Sequence, residues 1–171
     1  LEMGKPLPLA EQFIAGGVEG WRQALDQARS YPFVADVTAP GEPGRTIVER
    51  RPLGVVGLII PWNFTVTSIL GSLLPLLASG NTVVLKPSEK SPLSAARFVE
   101  VLDLPPGVVN LVHGDARAGR PLAAHEDVAL LHFTGSVAAG RSVGVAAASR
   151  LKRSVLELGG NDPVVVDAGV D

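Results

Sequence analysis

From Val55 onward the chain alternates short apolar, largely β-branched runs with segments long enough for a helix. The runs fall at 55–60, 82–85, 108–112, 128–133, 155–158 and 164–166, and helical segments are expected at roughly 66–79, 92–102, 117–125 and 137–150. A strand that is apolar along its whole length must be covered on both faces, and strands joined through helices run parallel. The expected fold is therefore α/β, a doubly wound, mostly parallel sheet with helices on both sides. Such a sheet takes ligands in the crevice beyond the carboxyl ends of its strands, and every motif considered below sits at one of those ends.

The first 54 residues follow another pattern. Phe13, Ile14, Val18, Trp21, Ala24, Leu25 and Ala28 lie near helical spacing, although Gly16, Gly17 and Gly20 weaken it. A turn-rich connector over 38–45 precedes an alternating segment, Thr46-Ile47-Val48-Glu49-Arg50, that reads as a half-exposed strand. Residues 1–54 are expected to pack, as helix, connector and strand, on a domain formed by 55–171.

Composition removes several classes of function. Fifteen basic and seventeen acidic side chains give a net charge of −2 with no single-sign block. Neither nucleic acid nor a membrane surface is an expected partner. No apolar run reaches the ~18 residues of a membrane span. The chain has no cysteine, which excludes disulfides and thiolate metal sites, and its three histidines lack ligand spacing, so no metal is expected. His113 and His132, in apolar strand ends, are expected to be buried. The default location is the cytoplasm.

Pro61-Trp62-Asn63-Phe64 follows a buried strand, which Pro61 closes. Asn63 offers an amide that could stabilise a developing oxyanion, or could simply cap the next helix. Lys86-Pro87-Ser88-Glu89 follows the second strand, where a ribose would lie in such a fold. Lys86 could donate to the ribose hydroxyls and Glu89 accept from them; a carboxylate there repels a 2′-phosphate and so favours NAD over NADP. In the alternative, Ser88 caps a helix and the two charges are solvated. Phe133-Thr134-Gly135-Ser136 opens a helix whose free N–H groups suit a pyrophosphate, with Ser136 as N-cap in either reading. Glu157, between Leu156 and Leu158 and before Gly159-Gly160, could be a desolvated general base or a carboxylate turned outward.

These four words, in this order and over nearly the whole chain, resemble the cofactor-binding half of the aldehyde dehydrogenase superfamily, whose domain is Rossmann-like. The resemblance implies Asn63 as the oxyanion-stabilising asparagine and Glu157 as the general base. It implies a cofactor set of Ile60, Pro61, Trp62, Lys86, Ser88, Glu89, Gly119, Phe133, Thr134, Gly135, Ser136, Leu158 and Gly159. The implied reaction is thiolate attack on an aldehyde, hydride transfer to NAD(P) and hydrolysis of the thioester. An aldehyde substrate and a homo-oligomer follow from the same likeness. This sequence departs from the pattern in several places. Thr65 stands where the family usually has proline, Ala116 where a glycine is usual, and the segments around 101–106 and 114–119 are short. The cysteine nucleophile normally comes a few tens of residues beyond the Glu157 position. The chain is accordingly expected to be a cofactor-binding fragment, inactive alone; a non-catalytic nucleotide-binding or assembly module is the alternative.

Overall fold

The computed structural model describes residues 2–169; Leu1, Val170 and Asp171 lie outside the described residues. Helix α1 (Leu7–Ser30) leads to strands β1 (Val34–Asp36) and β2 (Ile47–Glu49). Four β/α steps and a final strand follow: β3 (Val55–Ile59), α2 (Thr65–Ala78), β4 (Thr82–Lys86), α3 (Pro92–Glu100), β5 (Val109–Leu111), α4 (Ala116–Ala124), β6 (Val128–Gly135), α5 (Val137–Ala148) and β7 (Arg153–Leu158). Strands β3 to β7 form a five-stranded sheet in the order β5-β4-β3-β6-β7, with every neighbouring pair parallel.

Side chains alternate between the two faces of a strand, and each face has its own core. On one side Val56, Leu58, Ile60, Val83, Leu85 and Leu130 meet Ile69, Leu73 and Leu76 of α2 and Ala95 of α3. On the other, Val128 and Leu131 meet Ala123 of α4 and Ala147 of α5. The first core holds the larger side chains. Each fully buried Leu or Ile contributes about 1.5–3 kcal/mol, so most of the hydrophobic stabilisation lies under α2 and α3.

The chain reverses its winding between β3 and β6. From β3 it steps through α2 and α3 toward β5; it then returns through α4 to place β6 on the other side of β3. That reversal is the switch point at which such sheets open a crevice.

Helix α1 has no buried residue, yet it is fixed to α2. The glycines that weakened its sequence signal include the contact itself. A Cβ on Gly17 would overlap Leu70 Cδ1, so a side chain there would displace the end of Leu70 from this close approach. Trp21 donates its indole N–H to Leu70 O and meets the Phe98 ring edge-on at 5.8 Å. Strands β1 and β2 pair antiparallel as a hairpin apart from the main sheet.

One expectation is overturned, and one strand went unread in the sequence. Residues 164–166 form no strand; Val164, Val165 and Val166 are exposed, with no neighbouring strand to supply hydrogen bonds or cover. Strand β1 gave too short an apolar signal to be read from the sequence, since only its central residue is shielded.

Candidate functional site

Because the main strands are all parallel, their carboxyl ends share one edge of the sheet, and the four sequence motifs lie at or just beyond the ends of β3, β4, β6 and β7. Beyond β3, Ile60 is buried at 2% exposure and its N–H donates to Lys86 O at 3.2 Å, extending the ladder by one bond. Pro61 is half-buried, while Trp62 and Asn63 are exposed. Asn63 is not a cap: Phe64 holds the N-cap position of α2 and makes no side-chain capping bond.

At the end of β4, Lys86 is 4% exposed. Its Nζ donates to Pro87 O at 2.8 Å, which leaves two of its N–H donors for a ligand. Burial pushes the Lys86 ammonium below its usual pKa range; the Glu89 and Asp115 carboxylates pull it back up. Ser88 does not cap α3, where Ser91 holds the N-cap position. Ser88 Oγ instead accepts from Lys90 N–H at 3.3 Å. Glu89 is exposed. Lys90 Nζ stands 5.7 Å from the Trp62 ring centroid, a cation–π contact that brings the ends of β3 and β4 together.

At the start of α5, Ser136 is the N-cap and accepts Ala139 N–H at 3.3 Å. Gly135 fits because a Cβ there would stand 2.7 Å from Phe133 Cζ. In the parallel ladder Thr134 lies beside Glu157 and Gly135 beside Leu158.

Between α4 and α5, over the reversal, lies a cleft of about 440 Å³. Ile59, Lys86 and Phe133 form its floor; Gly119, Ala123, Ser142, Val143 and Ala146 contribute to its walls. The walls are small and mostly apolar, so a flat, largely apolar group can enter to the level of the sheet. A Cβ on Gly119 would meet Lys86 Cε at 3.4 Å, and any larger side chain would fill this space. Asp115 caps α4 by accepting Arg117 N–H at 2.8 Å, and that bond holds its carboxyl below the usual range.

The cleft therefore joins Lys86, Gly119 and Phe133 from the expected cofactor set. Ile60, Pro61, Trp62, Ser88, Glu89, Thr134, Gly135, Ser136, Leu158 and Gly159 border the same sheet edge but do not line the cleft. Glu157 departs from expectation. It is exposed at the edge strand and not desolvated between its leucines. Alternation explains this. Phe133 faces the cleft, so its neighbours Thr134 and His132, and Glu157 beside Thr134, face the opposite side, where no helix among the described residues packs on β7. Leu156 and Leu158 point to α5, where a Cβ on Gly140 would overlap Leu158.

The histidines also differ from expectation. His113 is exposed, because β5 ends at Leu111 and leaves it in the loop. His132 is half-buried, and its Nδ1 is buried without a hydrogen-bond partner among the described residues. Burial pushes its pKa below the usual histidine range, while Glu157 pulls it up. The sequence reading missed Asp115 as a capping residue and, apart from Gly119, the cleft walls. A signal existed in the small residues at one helical face of α4 (Ala116, Gly119, Ala123) and of α5 (Ala139, Val143, Ala146).

A parallel sheet with a crevice at its reversal and a buried cation in the crevice floor defines a Rossmann-like α/β domain of the kind carried by nicotinamide-dependent oxidoreductases. The aldehyde dehydrogenase family model matches residues 1–171, and the chain belongs to that family. It is 45% identical over 171 residues to 3-succinoylsemialdehyde-pyridine dehydrogenase of a Pseudomonas species, covering 96% of this chain and 35% of that protein. A crystal structure of an NAD-dependent aldehyde dehydrogenase from Sinorhizobium meliloti superposes with a TM-score of 0.89 at 37% identity, covering 95% of this chain and 33% of that one. Betaine aldehyde dehydrogenase from Staphylococcus aureus, solved in complex with NAD+, superposes with a TM-score of 0.88 at 29% identity, covering 94% and 32% of the two chains. The chain spans about a third of the length of the relatives it matches. No helix among the described residues is long and apolar enough to cross a membrane.

Proposed function

We propose that residues 55–171 are the cofactor domain of an NAD-dependent enzyme that oxidises an aldehyde to a carboxylate, with residues 1–54 packed against it as an N-terminal unit. The observation that carries this reading is the cleft at the β3/β6 reversal with Lys86 in its floor. Its apolar walls suit the adenine of a dinucleotide. Lys86 supplies donors, and Glu89 acceptors, for the adjoining ribose. The exposed Glu89 carboxylate disfavours a 2′-phosphate, which selects NAD over NADP. The N–H groups at the start of α5 and Ser136 serve the pyrophosphate. The loop over 61–64 and the backbone of Leu158 and Gly159 lie further along the same edge and serve the nicotinamide half.

Bound in this way, NAD+ would accept the hydride that the aldehyde carbon releases. This chain's own residues do the rest. The Asn63 side-chain N–H donates to the oxyanion that forms at the aldehyde oxygen; one such donor is worth about 2.7–4 kcal/mol. Glu157, on the face away from the cleft, takes the proton of the hydrolytic water. No cysteine is present among these 171 residues, so the thiolate step of the family reaction is not theirs.

Calorimetric titration of the chain with NAD+ tests the reading. Saturable binding is expected, weaker for Glu89→Ala and for NADP+. Absence of heat at millimolar NAD+ would remove the proposal. Ala116 and the short segments around 101–106 and 114–119 favour a second reading, a nucleotide-binding or assembly module without catalysis. Both readings expect no NADH from an aldehyde with this polypeptide alone, and appreciable NADH would overturn that shared expectation. The aldehyde-oxidising reading further carries a cytoplasmic homo-oligomer, supported by exposed Val34, Val37 and Ile47 in and beside the hairpin. Light scattering that finds only monomer at high concentration counts against the oligomer.

A further inference from the structure

Asn63 lies in an exposed loop, and its side-chain amide has no hydrogen bond within the described residues. An oxyanion donor must nonetheless be held in place, because a misplacement of about 1 Å can cost 10²-fold in rate. We propose that Lys5, Phe13, Thr65 and Ser91 are positioning residues that grip the 61–64 loop from two sides and so aim Asn63. The proposal rests on the reading of Asn63 as the oxyanion donor.

The outer grip is aromatic. The Phe13 and Phe64 rings meet edge-on at 5.3 Å. Lys5 Nζ sits 3.7 Å from the Phe64 centroid and 4.2 Å from the Phe13 centroid. One cation thus bridges α1 to the residue after Asn63. The segment carrying Lys5 is itself tethered: the Glu2 carboxylate accepts Ser94 N–H at 2.9 Å and Leu93 N–H at the start of α3.

The inner grip is a pair of hydroxyls. Thr65 and Ser91 are both 0% exposed, and their hydroxyls share a hydrogen bond. Thr65 Oγ1 also lies 3.1 Å from Trp62 O. The donors balance: Ser91 O–H donates to Thr65, and Thr65 O–H donates to the Trp62 carbonyl. A proline at 65 would stiffen this loop through its ring. Here the hydroxyl chain ties the residue before Asn63 to the start of α3.

The test is ¹⁵N relaxation on the 171-residue chain, read at the backbone amides of 62–64 and at the Asn63 side-chain amide. The unaltered chain is expected to show order parameters of about 0.85 at 62–64. Thr65→Val and Lys5→Met are each expected to lower them below about 0.6 there, while β3 and β4 keep theirs. Thr65→Ser is expected to restore the order. If Thr65→Val does not fold, Ser91→Ala takes its place. The proposal is overturned if the loop in both variants stays as ordered as in the unaltered chain, if order falls uniformly through the domain, or if the loop is already mobile in the unaltered chain. NAD+ titration of the same samples separates the two readings: local loosening without NAD+ affinity counts against the cofactor proposal alone.

Discussion

Strands β3 and β7 run parallel in one sheet, and each ends beside a residue assigned here to chemistry, Asn63 and Glu157. Their surroundings are opposite. β3 is central and covered on both faces, and from Val56 to Ile59 it is buried. β7 is the edge, with only Leu156 shielded among its six residues and α5 on one side alone. The difference teaches that the two residues proposed for chemistry are held by different means. The loop after β3 is fixed by a core and by neighbouring side chains, whereas Glu157 is placed by ladder hydrogen bonds to β6 and by the leucines that seat β7 against α5.

The largest expected effect tests that contrast directly. Leu58→Ala, at a residue 0% exposed in β3, is expected to cost about 2–5 kcal/mol in urea unfolding. Val155→Ala, at 40% exposure in β7, is expected to cost about 1 kcal/mol or less. Similar midpoints for the two variants would erase the distinction.

A smaller effect concerns overpacking. A Cβ on Gly57 would stand 3.0 Å from Leu131 Cδ2 and 3.4 Å from both Leu122 Cγ and Val128 Cγ1. Gly57→Ala is expected to destabilise by about 1–3 kcal/mol. Gly159→Ala, where nothing lies within 4 Å, is the control and should leave the thermal midpoint nearly unmoved.

Cofactor affinity should divide along the same line. Glu89→Ala is expected to weaken NAD+ roughly tenfold, about 1.4 kcal/mol, and to narrow the preference over NADP+. Glu157→Gln, on the face away from the cleft, should stay within about twofold of the unaltered chain. The reverse ranking in a calorimetric titration would place the cofactor on the wrong side of the sheet.

The smallest expected effect is a slope. Burial holds the Lys86 pKa below its unfolded value. Between the folded and unfolded values the unfolded chain binds more protons, so stability rises with pH across that window. The cost of burying the charge is present at neutral pH and is relieved as pH climbs toward the ordinary lysine range. Lys86→Met should therefore be the more stable chain at pH 7 and lose that advantage at high pH. A parallel pH dependence in both proteins, followed by urea unfolding, would show that Lys86 contributes no such term.

The alternation of apolar runs and helix-length segments fixed the α/β class, and each helix lies within a few residues of its expected place because hydrophobic period is a local property. The position of the motifs at strand ends was legible for the same reason. Lys86 and Gly119 were readable as candidates, but their contact was not, because they lie on β4 and α4 and meet only after the chain has doubled back.

What the sequence by itself determined was a parallel sheet, its motif order and the chemical types at its strand ends, since these depend on neighbours a few residues apart. Which face each functional group occupies was decided only by tertiary structure. Glu157 looked enclosed by two leucines along the chain, yet strand alternation sends those leucines to α5 and the carboxylate to the open side. The same folding buried Lys86 and brought Lys5 across to Phe64, because burial and long-range contact are set by which strands and helices become neighbours, and no local pattern carries that information.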